Sequence, residues 1–127
     1  MIARILLICT FLLATPLAIA YDISGFWKHP EAPVWIEISL EEGKGTVMRN
    51  DKFPERVGRE FVKDLKADDS EESLWHGQVY VERVGEYKQA KISLPEPGRM
   101  EFNVKVGLIS RTIEWVRVDE VPAAAAQ

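Results

Sequence analysis

The chain has 127 residues, with 16 basic and 20 acidic side chains, two histidines and one cysteine. Its net charge of −4 argues against nucleic acid and anionic lipid heads as partners, since both want a basic face. One cysteine excludes an internal disulfide, and the length fits one domain.

Residues 1–20 have the three-part layout of a secretory signal. Met1 to Arg4 carries one positive charge, Ile5 to Leu13 is an uncharged apolar run, and Ala18-Ile19-Ala20 is a small-x-small cleavage pattern. The run is short for a bilayer span, which needs about 20 apolar residues, although an uncleaved anchor is the alternative. Cleavage before Tyr21 predicts a periplasmic or secreted protein with no membrane span left. It also removes Cys9, and with it any thiol nucleophile or thiolate metal site. The remaining 107 residues carry 15 basic and 20 acidic side chains, a net of −5. Without a disulfide, such a domain depends on a large apolar interior.

Eight short strands are predicted in residues 21–119, with no repeat and no interdomain linker. The first is Asp22 to Lys28. His29-Pro30-Glu31-Ala32-Pro33 ends it, because two prolines remove donors and fix φ. The second, Val34 to Leu40, puts Val34, Ile36, Ile38 and Leu40 on one face and Trp35, Glu37 and Ser39 on the other. Glu41 to Gly45 is a hairpin signal, and Thr46 to Asn50 is the third strand. Asp51 to Arg59 is a loop. Glu60 to Lys66 reads as a strand, though Val57, Phe61 and Leu65 recur at helical spacing. Asp68 to Ser73 is an acidic, exposed loop.

Trp75 to Val81 is the fifth strand, with Gly77 as a bulge or close-approach point. Tyr87 to Leu94 is the sixth, and Pro95 to Gly98 a turn. Arg99 to Val106 places Met100, Phe102, Val104 and Val106 on one face. After a turn at Gly107 to Ser110, the last strand aligns Arg111, Ile113, Trp115 and Arg117. Residues 120–127 are expected to be a disordered tail. Antiparallel neighbours in this number leave two edges unless the sheet closes. The predicted fold is therefore all-β, a small closed antiparallel barrel of about eight strands.

Gly25-x-Trp27 on the first strand, with an arginine on the last, resembles the calycin barrels: lipocalins, fatty-acid-binding proteins and avidins. The resemblance implies that Arg111 or Arg117 lies across Trp27 and closes one barrel end. A guanidinium over an indole gains about 1–2 kcal/mol when desolvated, and its donors can cap carbonyls. The segments Asp22 to Lys28, Trp75 to Tyr80, Glu86 to Ile92 and Val106 to Val118 are similar to a bacterial family of exported proteins known only as a domain of unknown function. That family carries Trp-x-Gly-Gly-x-Ile-Tyr and Tyr-x-Ala-Lys, and ends Val-Gly-x-x-x-x-Arg-Thr-x-x-Trp-x-Arg. Val106, Gly107, Arg111, Thr112, Trp115 and Arg117 fit the ending with the turn one residue shorter. Gln78 departs from the family's glycine, and Asp51 to Ser73 matches poorly. The resemblance implies a calycin-like barrel in the envelope and no assigned activity.

No constellation supports catalysis, and the chain reads as a binding protein without cofactor or metal. Trp27, Trp35, Trp75 and Trp115 suit core packing, or a stacking platform for a ligand. Trp35, opposite Ile36 and Ile38, is a partner contact if exposed. His29 and His76 lie forty-seven residues apart with no short metal motif between them. The acidic run 68–72 lacks the alternating pattern of a calcium loop. No serine sits in Gly-x-Ser-x-Gly, and the glutamates form no acid–base pair. Two functions follow. The first is binding of a small apolar molecule in a cavity lined by Ile36, Ile38, Ile92, Phe102, Val104, Ile113 and Trp115. The second is an envelope protein–protein module, inhibitor or accessory factor, with a filled barrel and working loops at Asp51 to Arg59 and Asp68 to Ser73.

Overall fold

Alternation of apolar and polar residues produces strands that each bury one face, and these strands pair in strict chain order until the last meets the first. The structure is a computed structural model that describes residues 22–123. The expected signal segment, Cys9 and residues 124–127 lie outside the described residues. The strands are β1 (Gly25–Lys28), β2 (Val34–Ser39), β3 (Lys44–Asn50), β4 (Glu60–Ala67), β5 (Leu74–Val81), β6 (Glu86–Glu96), β7 (Arg99–Val106) and β8 (Ile109–Val118). All pairings are antiparallel, and Trp27 opposite Arg117 joins β1 to β8. The result is a closed eight-stranded barrel, which leaves no sheet edge.

The segment Glu60 to Lys66 is strand, and its helical spacing has a physical cause. The β4–β5 register shifts between Lys63 and Lys66, where Asp64 adopts φ +52. This bulge brings Val62 and Leu65, three residues apart, onto the same inward face. Val57, which completes the helical pattern in the sequence, sits exposed in the β3–β4 connection. Two turns are tighter than expected. Val106 pairs with Ile109, so only Gly107 and Leu108 turn the last hairpin, with Gly107 at φ +62. Glu96 pairs with Arg99, so β6 runs through Pro95 and turns at Pro97-Gly98.

The first strand starts three residues later than expected. Gly25, at φ +129, redirects residues 22–24, and Ile23 joins the core. A Cβ at Gly25 would also lie 3.2 Å from Arg117 Nη1. Trp27 is fully buried, and its Nε1 donates to the Ile23 carbonyl at 2.9 Å. The Arg117 guanidinium covers the Trp27 ring at 4.3 Å. Its donors reach the carbonyls of Asp22 at 2.7 Å, Ser24 at 3.0 Å and Pro97 at 3.0 Å. One side chain thereby ties the chain start and the β6–β7 turn to the last strand.

Trp27→Ala deletes the largest fully buried side chain and leaves Arg117 without its platform. A loss of roughly 3–5 kcal/mol is expected, read as a lower urea midpoint at unchanged slope. A cost below about 1 kcal/mol, the range of ordinary surface changes, would refute this role for the ring.

Candidate functional site

The positions expected to line a cavity are packed instead. Ile36, Ile38, Ile92, Phe102 and Val104 are buried in one cluster with Trp27, Met100, Trp75 and Trp115. A void large enough for water leaves accessible surface on the side chains around it. Trp27, Ile36, Ile92, Met100 and Phe102 have none, at 0 % exposure. Ile113 is half-buried at the edge of the cluster. Phe61, carried inward beside the bulge between Gly45 and Thr46, stacks on Phe102 at 6.1 Å and meets Trp115 at 5.9 Å. Trp115 serves by burial alone, because its indole N–H is buried without a hydrogen-bond partner.

Of the two arginines, only Arg117 reaches Trp27. Arg111 is exposed and paired with Val104 near the last hairpin turn. It shares strand parity with Arg117, but six residues along a strand separate them by about 20 Å. Arg111 is therefore not a barrel-closing residue.

Trp35 points outward, as its parity requires, yet it is not exposed. Arg49 lies over its ring at 4.5 Å and Lys28 Nζ at 5.3 Å, leaving it 8 % accessible. Arg49 also donates to the carbonyls of Pro122 at 2.8 Å and Ala123 at 3.0 Å, drawing the described end of the chain to β3. Its ion pair with Asp51, at 2.7 Å, holds that carboxyl below its ordinary range.

The two histidines do unrelated work. His29 Nδ1 accepts from the backbone N–H of Glu31 and of Ala32, both at 3.1 Å, and its ring meets Trp115 edge-on at 5.5 Å. Partial burial lowers its pKa, against an upward pull from Glu31. His76 Nε2 lies 2.6 Å from Asp68 Oδ1. Asp68 also accepts from the N–H of Ser70 and of Glu71, so the acidic loop is folded around its first carboxylate. These bonds, His76 first, hold the Asp68 carboxyl well below the usual range. Among the described residues, no three histidine or acidic side chains converge in a metal-binding group.

Two surface features carry chemistry that parity alone did not reveal. At the end of the barrel formed by the β3–β4, β5–β6 and β7–β8 connections, Val57, Val84, Leu108 and Ile109 are exposed; Leu108 is fully so. Arg56 and Arg59 both pair with Glu82, tying two of these connections together. On the outer wall of β4 to β8, a concavity of about 650 Å³ is lined by lysines and amides. A smaller one lies within the loop that follows β4.

Two outcomes follow from this geometry. Arg117→Lys cannot reproduce three divergent donors over a ring, so it is expected to lower the melting temperature while Arg111→Lys leaves it unchanged; equal effects would contradict the assignment. Protonation of His29 removes the acceptor that holds two backbone N–H groups. Its folded pKa lies below the unfolded value of about 6.5, so its contribution is full above that pH and is lost as pH falls through the folded value. His29→Gln should flatten stability against pH in that window, measured by urea midpoints.

Comparisons with protein-family profiles, with curated proteins and with solved structures find no match to this chain.

Proposed function

We propose that this chain is an exported, non-enzymatic interaction module of the cell envelope, built on a calycin-like barrel with a filled interior. The observation that carries this reading is the interior itself: the five innermost cavity candidates are sealed in one cluster, with Trp27 and Trp115 filling space that a ligand would need. The signal-like residues 1–20 support export. Trp27 under Arg117, with Gly25 beside them, supports the calycin resemblance.

The working surface is the end that displays Val57, Val84, Leu108 and Ile109. A two-residue turn exposing leucine gains nothing for folding, since its side chain is as wet in the folded chain as in the unfolded one. Exposed aliphatic groups grouped at one end mark a contact surface for another protein. Arg56, Arg59 and Glu82 brace two of the three connections, so the surface is held in place before contact.

Native mass spectrometry of protein isolated from its own envelope fraction is expected to give the mass of the bare chain. A retained apolar molecule, released when the fold is opened, would sink the filled-barrel reading. Leu108→Asp and Ile109→Asp should leave the melting temperature within about 0.5 kcal/mol of equivalent stability and abolish cross-linking to the partner recovered with the unaltered protein.

A further inference from the structure

The concavity on the outer wall is lined by Lys66 on β4, Lys91 on β6 and Lys105 on β7. Gln78, Gln89 and Asn103 stand between them, and Ser110 marks the β8 side. Gly77 and Ala90, paired across β5 and β6, contribute backbone to its floor, their own side-chain positions being turned into the barrel. The bulge at Asp64 bends β4 along the margin.

The charge of this site runs against that of the chain. The sequence carries −4, yet the lining holds three lysines against one carboxylate, Asp64. Asp64 accepts from Gln78 Nε2 at 3.2 Å, and His76 at the rim is turned to Asp68. Among the described residues, none of the three lysines forms an ion pair, whereas Arg49, Arg56, Arg59 and Arg99 all do. In a chain with surplus acid, three unpaired cations in one hollow are left free for an external anion.

Spacing, volume and lining together point to the kind of anion. Lys66 faces His76 and His76 faces Lys91, so these lysines stand two strands apart, about 9.5 Å between backbones. Lys105 lies diagonally beyond Asn103, which faces Lys91, roughly 7–8 Å away. A hollow of about 650 Å³ with neutral amides between its lysines has room for more than one phosphate or sulfate, and fits a chain with anionic groups at intervals. The amides between the lysines both donate and accept, which suits hydroxyl groups. Among the described lining residues the one aromatic ring is the His76 imidazole, turned to Asp68, and there is no Phe, Tyr or Trp on which a nucleic-acid base would stack. Nor is there a large apolar side chain to anchor a protein. The closed barrel offers no free edge to an added peptide strand.

We infer that this concavity binds an acidic oligosaccharide, a run of sugars bearing carboxylates. Lys66, Lys91 and Lys105 take the carboxylates, and Gln78, Gln89 and Asn103 take the hydroxyls. The concavity lies on the wall and meets the apolar end only at Ser110, next to Ile109, so the module would hold an envelope glycan on its wall and a protein at its loops.

The test is a nuclear magnetic resonance titration of the isotope-labelled protein with a galacturonate oligomer. Its fully methyl-esterified form is the uncharged control. Shifts are expected at the amides of Lys91 and Asn103 and their neighbours, with the interior methyls of Ile36 and Ile92 silent and no response to the ester. Lys66→Gln and Lys91→Gln should each weaken binding about tenfold, the worth of one charge-assisted hydrogen bond. Lys91→Arg should retain binding, and Lys44→Gln, at the β2–β3 turn, should not change it. The affinity should fall steeply between about 50 and about 200 mM salt. No shifts, or binding indifferent to Lys66 and Lys91, would overturn the inference. So would equal binding of a glutamate-rich peptide or of single-stranded DNA. Val57→Asp, in the β3–β4 connection and away from the lining residues, should leave the titration unchanged, so loss of the protein contact and loss of the glycan site are read separately. Shifts at Ile36 and Ile92 would instead count against the filled barrel.

Discussion

Everything in this barrel depends on one contact: the guanidinium of Arg117 lying on the indole of Trp27. The two residues are ninety positions apart in the chain, so their meeting closes one of the longest loops in the fold. Closing a long loop costs entropy that grows only slowly with length. The contact offsets that cost with cation–π attraction, a fully buried ring and three hydrogen bonds to carbonyls that otherwise face the barrel end. Those carbonyls belong to Asp22, Ser24 and Pro97, so the same side chain fixes the chain entry and a turn from the opposite half of the wall. A disulfide would do similar work in many exported domains of this size. Here the described residues contain no cysteine, and packing around Trp27 takes that place.

A filled lumen follows from how small the barrel is. Eight strands enclose an interior just wide enough for side chains. With Trp27, Trp75, Trp115 and Phe102 all directed inward, the remaining positions must be small or must yield. Gly45 shows the limit: a Cβ there would approach Ile38 Cδ1 to 2.8 Å and Val62 Cβ to 3.1 Å. The bulges in β2–β3, β3–β4, β4–β5 and β6–β7 supply the curvature that closure demands. One of them swings Phe61 inward onto Phe102 and Trp115. The groups left for contact with other molecules are thereby those on the outside of the wall and at its ends.

How much of this was legible in the chain depends on whether a feature lives within one strand or between strands. The inward faces of β2, β6 and β7 are plain from alternation, since Ile36 and Ile38, Ala90 and Ile92, and Phe102 and Val104 need only period two. β4 is opaque, because a bulge at Asp64 breaks the period and mimics helical spacing. Arg111 and Arg117 share parity, and only the pairing of β8 with β1 separates them. Trp35 looks like an exposed platform until Arg49, from the next strand, covers it. The hollow between Lys66, Lys91 and Lys105 has no local signal at all. Three registers and one bulge bring those lysines together, and no single segment contains more than one of them.

The distribution of charge on the wall follows from the same registers. Near the β6–β7 turn, Arg99 stands with Glu101 at 3.3 Å and Glu114 at 3.0 Å, so its charge is spent inside the protein. Four residues further along β7 and beyond, the partners facing Lys91 and Lys105 are Asn103 and Ser110, neutral groups. Exposed ion pairs add little stability, about 0–1 kcal/mol each, so folding exerts weak pressure to pair a surface lysine. Arg49, Arg56, Arg59 and Arg99 nevertheless pair with nearby carboxylates. Lys66 on β4, Lys91 on β6 and Lys105 on β7 face His76, Asn103 and Ser110, none of them acidic. The rigid, closed wall then holds those lysines at fixed spacing, which is what recognition of an extended anion needs and what a loop cannot supply as well.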